Sequence, residues 1–121
     1  MAVRLHNPGY YHAKKLVAED KVALDERDDW SEHQPSAAAE NAFIEAHGYR
    51  EYGRWHLGID DERPPDTKGR YKFPYGDFEL VHRCGVLAAE SRAGQRKYTD
   101  IELAVAHLHG ALDALRKVSA R

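Results

Sequence analysis

The clearest pattern of hydrophobic and polar positions lies near the C-terminus. Apolar residues recur there with spacings of four and three, which is the repeat of one helix face. A capping-box motif, Thr99 followed by Glu102, precedes the stripe. The pattern predicts a long amphipathic helix with its apolar face against the rest of the protein. The stripe consists of Ile101, Val105, Leu108, Leu112 and Leu115.

Two earlier segments have the two-residue alternation of half-buried strands. Trp55, Leu57 and Ile59 alternate with more polar positions, and so do three aromatic residues at 71, 73 and 75. The polar segment 60–69 contains two prolines and a glycine, which is typical of a loop. We expect an antiparallel pair of strands whose second member ends at Pro74, because proline cannot donate to a ladder. The predicted helix should pack on Trp55, Leu57, Tyr71 and Phe73.

Three further helices are predicted. Asn7-Pro8 is a helix-start signal, and a helix should follow to about Glu19. Pro35, an alanine run and Gly48 delimit a second helix, and a third should cover about 84–93 and end at Gly94. The sequence therefore predicts a mainly helical α+β fold, with about four helices around a small two- or three-stranded antiparallel sheet. We expect one domain, 1–121, with a helical acidic part (1–50) and a β-hairpin plus helical pair (51–118).

The cysteine content and the hydropathy indicate the expected cellular location. The 121 residues include one cysteine, Cys84, which excludes an intrachain disulfide and is typical of a reducing compartment. No run of about 18 apolar residues occurs, so we expect no membrane span. The cytoplasm is the expected location.

Charge is distributed unevenly along the chain. Residues 1–66 hold 8 Lys and Arg against 14 Asp and Glu, whereas residues 67–121 hold 10 against 6. If the basic side chains of the C-terminal half converge, they form a surface suited to phosphate groups, as in a nucleic-acid-binding module. The alternative is that the two halves pack together with opposite charges facing. The candidate phosphate contacts are Lys68, Arg70, Lys72, Arg92, Arg96 and Lys97.

Histidine and cysteine spacing offers one metal hypothesis. His82 and Cys84 are two residues apart, as are His107 and His109. Residues two apart on a helix point to nearly opposite sides, so only one of His107 and His109 would join a zinc site. From these spacings alone we expect no stoichiometric zinc and no cofactor.

Catalysis has little support in the sequence. Cys84 would need a setting that favours the thiolate, with His82 as a base. No Gly-x-Ser-x-Gly elbow, phosphate loop or dinucleotide-binding glycine pattern is present. We expect no enzymatic activity.

Several short segments resemble a family of small uncharacterised bacterial proteins, with similar segments in phage and prophage open reading frames. They are WHLGID (55–60), DTKGRYKFPYG (66–76), VHRCGV (81–86), RAGQ (92–95) and DI (100–101). The resemblance covers about residues 50–115. It implies a compact α+β domain in a bacterial or phage context and lends no catalytic or binding residue.

Three functional classes follow from these observations. The leading prediction is a non-enzymatic accessory or interaction protein. The first alternative is a nucleic-acid-binding module that uses the basic residues. The second is a metal-binding or enzymatic protein that uses His82 and Cys84.

Overall fold

A computed structural model describes residues 3–119 of the protein. None of the helices in this range is long and apolar enough to cross a membrane. Two 3-10 turns, Arg27–Asp29 and Lys68–Arg70, add to the helices and strands. The α-helices are α1 (Asn7–Ala18), α2 (Trp30–His33), α3 (Ala37–His47), α4 (Tyr49–Gly53), α5 (Arg83–Arg96) and α6 (Thr99–Ser119). The strands are β1 (Val3–Leu5), β2 (Val22–Ala23), β3 (His56–Asp60), β4 (Tyr71–Pro74) and β5 (Val81–His82).

The main sheet is antiparallel and has the order β1-β3-β4. Ile59 in the central strand pairs with Arg4 on one side and Tyr71 on the other. The predicted α+β class, the β3–β4 pair and the end of β4 at Pro74 are confirmed. Strand β1 is an addition, because three residues are too short for an alternation to identify.

A second, two-stranded sheet is parallel and joins β2 to β5. Val22 pairs with Val81, and Ala23 pairs with His82. Each strand has two residues, which is too short for a periodic pattern to predict. This short ladder brings the acidic segment that follows β2 next to the start of α5.

The apolar stripe of α6 lies in the core, as predicted. Ile101, Val105, Leu108 and Leu112 are fully buried and belong to one hydrophobic cluster with Trp55, Leu57 and Phe73. The prediction is wrong for Tyr71, which packs on the rings of His6 and Tyr52 instead. Phe73 adopts a left-handed φ of 61°, so the regular alternation of β4 breaks before its last residue.

Helix α5 is longer than predicted. It continues through Gly94 to Arg96 and ends where Lys97 adopts a left-handed φ of 58°. A Cβ on Gly94 would lie 3.0 Å from the carboxylate of Glu102 in α6. Glu102 is exposed and this is the flexible end of its side chain, so a small movement of Glu102 would accommodate a side chain at position 94.

His56 lies inside the fold and is expected to make the protein sensitive to acid. Burial lowers its pKa to about 3, although its Nδ1 is 2.9 Å from the Tyr52 carbonyl oxygen. In the unfolded chain a histidine has a pKa near 6.5. Between these values the unfolded state binds one proton more than the folded state. The free energy of unfolding should therefore fall with decreasing pH, by up to about 1.4 kcal/mol per pH unit from this group.

The variant His56→Asn isolates this contribution. The side-chain amide nitrogen of the introduced asparagine takes the place of the histidine Nδ1 and does not titrate in this pH range. Urea denaturation of both proteins from pH 7 to pH 4 is expected to give a shallower pH dependence for the variant. Parallel curves would show that His56 does not carry the acid sensitivity.

Candidate metal centre

Four side chains that suit a transition metal converge from three separate segments. Asp25 follows β2, His33 is the last residue of α2, and His82 ends β5. Cys84 lies in the first turn of α5. The β2–β5 pairing places Asp25 two residues beyond the partner of His82. One donor atom from each of the four residues lies within 4.8 Å of the others.

The Asp25 carboxylate is at the middle of this cluster. Its Oδ2 is 2.7 Å from Nδ1 of His33 and 2.7 Å from Nδ1 of His82. Its Oδ1 accepts a hydrogen bond of 2.7 Å from the backbone N–H of Cys84. The Cys84 Sγ is 3.8 Å from the His33 Nδ1. Two imidazole nitrogens, one thiol and one carboxylate oxygen therefore share one small volume.

The cluster is buried on one side and open on the other. Cys84 is fully buried and His82 is 7% exposed. The His33 side chain is 37% exposed and the Asp25 side chain 9%. The exposed edge of the cluster is therefore at His33, while the sulfur and His82 lie within the fold.

A further shell of contacts orients the cluster. The Nε2 of His82 is 2.8 Å from Asp77 Oδ2, so the ring lies between two carboxylates. Asp77 Oδ1 accepts hydrogen bonds from the backbone N–H groups of Glu79 and Leu80. Arg83 donates to the Asp25 carbonyl oxygen at 3.1 Å. Metal-bound histidines commonly have a carboxylate on the second ring nitrogen, which fixes the ring and its tautomer.

Electrostatics in the cluster favours an anionic Asp25 and a protonated His82. Burial opposes the charge on Asp25, but hydrogen bonds from His82, Cys84 and His33 outweigh it and lower the pKa to about 2. Burial also opposes charge on His82, yet Asp77 and Asp25 raise the pKa of its imidazolium. In the absence of metal these charges form a compact ion network.

The thiol of Cys84 is a poor nucleophile in this setting. Burial, followed by the neighbouring Asp25 carboxylate, raises its pKa to about 12. A thiolate nucleophile requires the opposite shift. The geometry therefore disfavours the catalytic role considered for Cys84 with His82 as its base. A bound metal ion would change this balance, because it deprotonates a coordinating thiol.

The structure divides the metal ligands considered in the sequence analysis. His82 and Cys84 come together, whereas His107 and His109 lie elsewhere. His109 is 2.9 Å from Glu90 and 3.1 Å from Asp113, and His107 packs against the ring of Tyr10. The spacing of histidines and cysteine did not identify Asp25 and His33, because these residues belong to an acidic segment whose composition is typical of a solvated loop. Only the contact between that segment and the start of α5 identifies them.

The six candidate phosphate contacts separate into two groups. Lys68 forms an ion pair with Glu40 at 3.2 Å, and Arg70 donates to the Arg63 carbonyl oxygen at 2.7 Å. Lys97 is exposed at the end of α5. The other three line one pocket, together with Arg63. They are Lys72, Arg92 and Arg96.

Comparison with known proteins finds no matching family model, curated protein or solved structure. The resemblance to small bacterial and phage proteins therefore stays a prediction.

Proposed function

We propose that this protein binds one zinc ion through Asp25, His33, His82 and Cys84, and that the ion is structural in a non-enzymatic accessory or interaction protein. The observation that carries the proposal is the position of the His82 ring. One nitrogen points into the donor cluster, and the other is held by Asp77 at 2.8 Å. That arrangement is typical of histidines that bind zinc.

The donor set favours zinc among the common metal ions. Thiolate and imidazole ligands suit zinc, whereas calcium and magnesium take oxygen ligands. In a tetrahedral zinc site, neighbouring donor atoms are about 3.3–3.6 Å apart, from the usual bond lengths. The separation of 3.8 Å between Cys84 Sγ and His33 Nδ1 is close to this value. The two distances of 2.7 Å from Asp25 to the histidines would lengthen by roughly half an ångström on coordination.

Four protein ligands favour a structural role over a catalytic one. Structural zinc sites are closed by four protein donors, whereas catalytic sites keep one position for water or substrate. Here the ion would connect the loop of Asp25 and the helix of His33 to the β5–α5 junction. His82 and Cys84 at this junction are 57 and 59 residues from Asp25 in the sequence. Two ion pairs already hold this region to α6, between Arg116 and Glu26 and between Arg83 and Asp113.

The competing explanation is a hydrogen-bonded ion network without metal, as the spacing of the histidines alone predicts. The two explanations differ in a direct measurement. Protein purified without a histidine tag and without chelators is expected to contain about one zinc per chain by elemental analysis. Cobalt substitution should add a thiolate-to-metal charge-transfer absorption band. Less than about a tenth of an equivalent, with no uptake on titration with zinc, would contradict the proposal.

Two matched variants control this experiment. His33→Gln and His107→Gln each replace one exposed histidine, and only His33 belongs to the cluster. The first is expected to reduce zinc affinity markedly, and the second to leave it unchanged. Equal zinc contents and affinities in both variants and the parent would show that the metal binds elsewhere. Circular dichroism checks that each variant is folded.

The cellular compartment is proposed on the same chemistry. A single buried cysteine that serves as a metal ligand needs a reducing environment, because oxidation would remove the thiolate. We therefore place the protein in the cytoplasm.

A further inference from the structure

A basic pocket lies apart from the metal cluster, between β4 and the second half of α5. Its volume is about 380 Å³, and Arg63, Lys72, Arg92 and Arg96 contribute to its lining. Phe73 and Tyr98 form an aromatic wall, with their rings in edge contact at 5.9 Å. None of the zinc-ligand candidates lines this pocket.

The cations of this pocket outnumber its carboxylates by four to one. Asp60 is the acidic residue, and it lies 3.6 Å from Arg63. Among residues 3–119, Lys72, Arg92 and Arg96 form no ion pair with a carboxylate. Arg92 and Arg96 are four residues apart on one helix face, where like charges repel. A bound anion would offset that repulsion.

We propose that this pocket binds a small phosphomonoester, with Lys72, Arg92 and Arg96 on the phosphate and the Phe73–Tyr98 wall against the organic part. Guanidinium groups suit a phosphate because they donate two parallel hydrogen bonds to its oxygens. A volume of about 380 Å³ is in the range of small-molecule sites. Tyr98, which also lines the pocket, has a phenolic O–H that can donate a hydrogen bond.

The same observations favour a compact ligand over a nucleic-acid strand. Strand binding requires a basic groove that follows several phosphates, with exposed aromatic faces for stacking. Two of the other candidate phosphate contacts are already engaged, Lys68 with Glu40 and Arg70 with the carbonyl oxygen of Arg63. Phe73 is 8% exposed, so Tyr98 provides most of the accessible ring surface of the pocket, which is too little for successive bases to stack on. The charge is therefore concentrated at one point of the surface.

Titration of the full chain with adenosine monophosphate, followed by amide chemical shifts at about 0.15 M salt, tests the proposal. We expect saturable shifts around Lys72, Arg92 and Arg96, with a dissociation constant of about 1 mM or below. Inorganic phosphate should shift the same amides with weaker affinity, and adenosine should not shift them. The absence of saturable shifts at these residues, or equal effects from adenosine, would overturn the proposal.

Arg96→Gln and Lys97→Gln form a matched pair, since each removes one positive charge from neighbouring exposed residues. Arg96 lines the pocket and Lys97 does not. The first variant should weaken binding of adenosine monophosphate about tenfold or more, and the second less than about twofold. Equal losses would show a diffuse charge effect and overturn the assignment. Tighter binding of a single-stranded oligonucleotide, with a salt slope of several phosphates, would replace the proposal with the nucleic-acid alternative.

Discussion

Removal of zinc with a chelator is expected to lower the free energy of unfolding by about 4 kcal/mol, which mass action predicts when free zinc is a thousand times its dissociation constant. The proposed ligands Asp25 and Cys84 are far apart in sequence and come together only in the folded protein. Metal binding would therefore stabilise the folded state and add little to the stability of the unfolded one. Denaturant unfolding with zinc and with chelator measures the difference.

Variants at the exposed edge of the cluster distinguish this effect from general damage. His33→Gln should unfold at nearly the same denaturant concentration with zinc and with chelator, since it lacks one ligand. His107→Gln should keep the full difference between the two conditions. Hydrogen exchange at the Cys84 amide, which donates to Asp25, should become faster when zinc is removed. Identical unfolding curves of the parent protein with zinc and with chelator would show that no structural metal is bound.

Truncation of Leu108 to alanine is expected to cost about 2–5 kcal/mol of stability, the usual range for a fully buried leucine. Leu108 belongs to the stripe of α6 that shares one hydrophobic cluster with Trp55, Leu57 and Phe73. The lost side chain removes apolar burial and leaves a cavity between this helix and the sheet. Urea denaturation of the variant and the parent measures the change.

Leu103→Ala is the matched control on the same helix. Leu103 is 68% exposed, so its truncation should change the free energy of unfolding by less than about half a kilocalorie per mole. Similar losses at positions 103 and 108 would mean that the buried face of α6 is assigned wrongly. Both variants retain helix propensity, because alanine is the best helix former.

The basic pocket contains only some of the basic side chains that the sequence suggested, because others are paired elsewhere. The sequence analysis grouped Lys68, Arg70 and Lys72 among the candidate phosphate contacts of the C-terminal half. The structure places Lys68 at the preceding 3-10 turn, where it reaches Glu40 in α3. Arg63, from the loop after β3, takes part in the pocket instead. Lys72, Arg92 and Arg96 were already candidates from the sequence. Arg63 was not, because only the path of the loop after β3 brings it to the pocket.

Local periodicity was sufficient for the fold class and for most of the core. The stripe of α6 and the alternation of β3 are properties of consecutive residues, so the mainly helical α+β class and the β3–β4 pair follow from the sequence alone. The spacing also raised His82 and Cys84 as a metal hypothesis, although the spacings alone predicted no zinc.

The tertiary structure decided which residues complete the site. Asp25 and His33 reach His82 and Cys84 through two-residue parallel strands, which are too short to have a periodic signature. Such a contact forms because the fold as a whole buries Val81 and Cys84 and draws the acidic segment against them. Convergence of distant side chains depends on packing between elements, and spacing along the chain describes only the elements themselves.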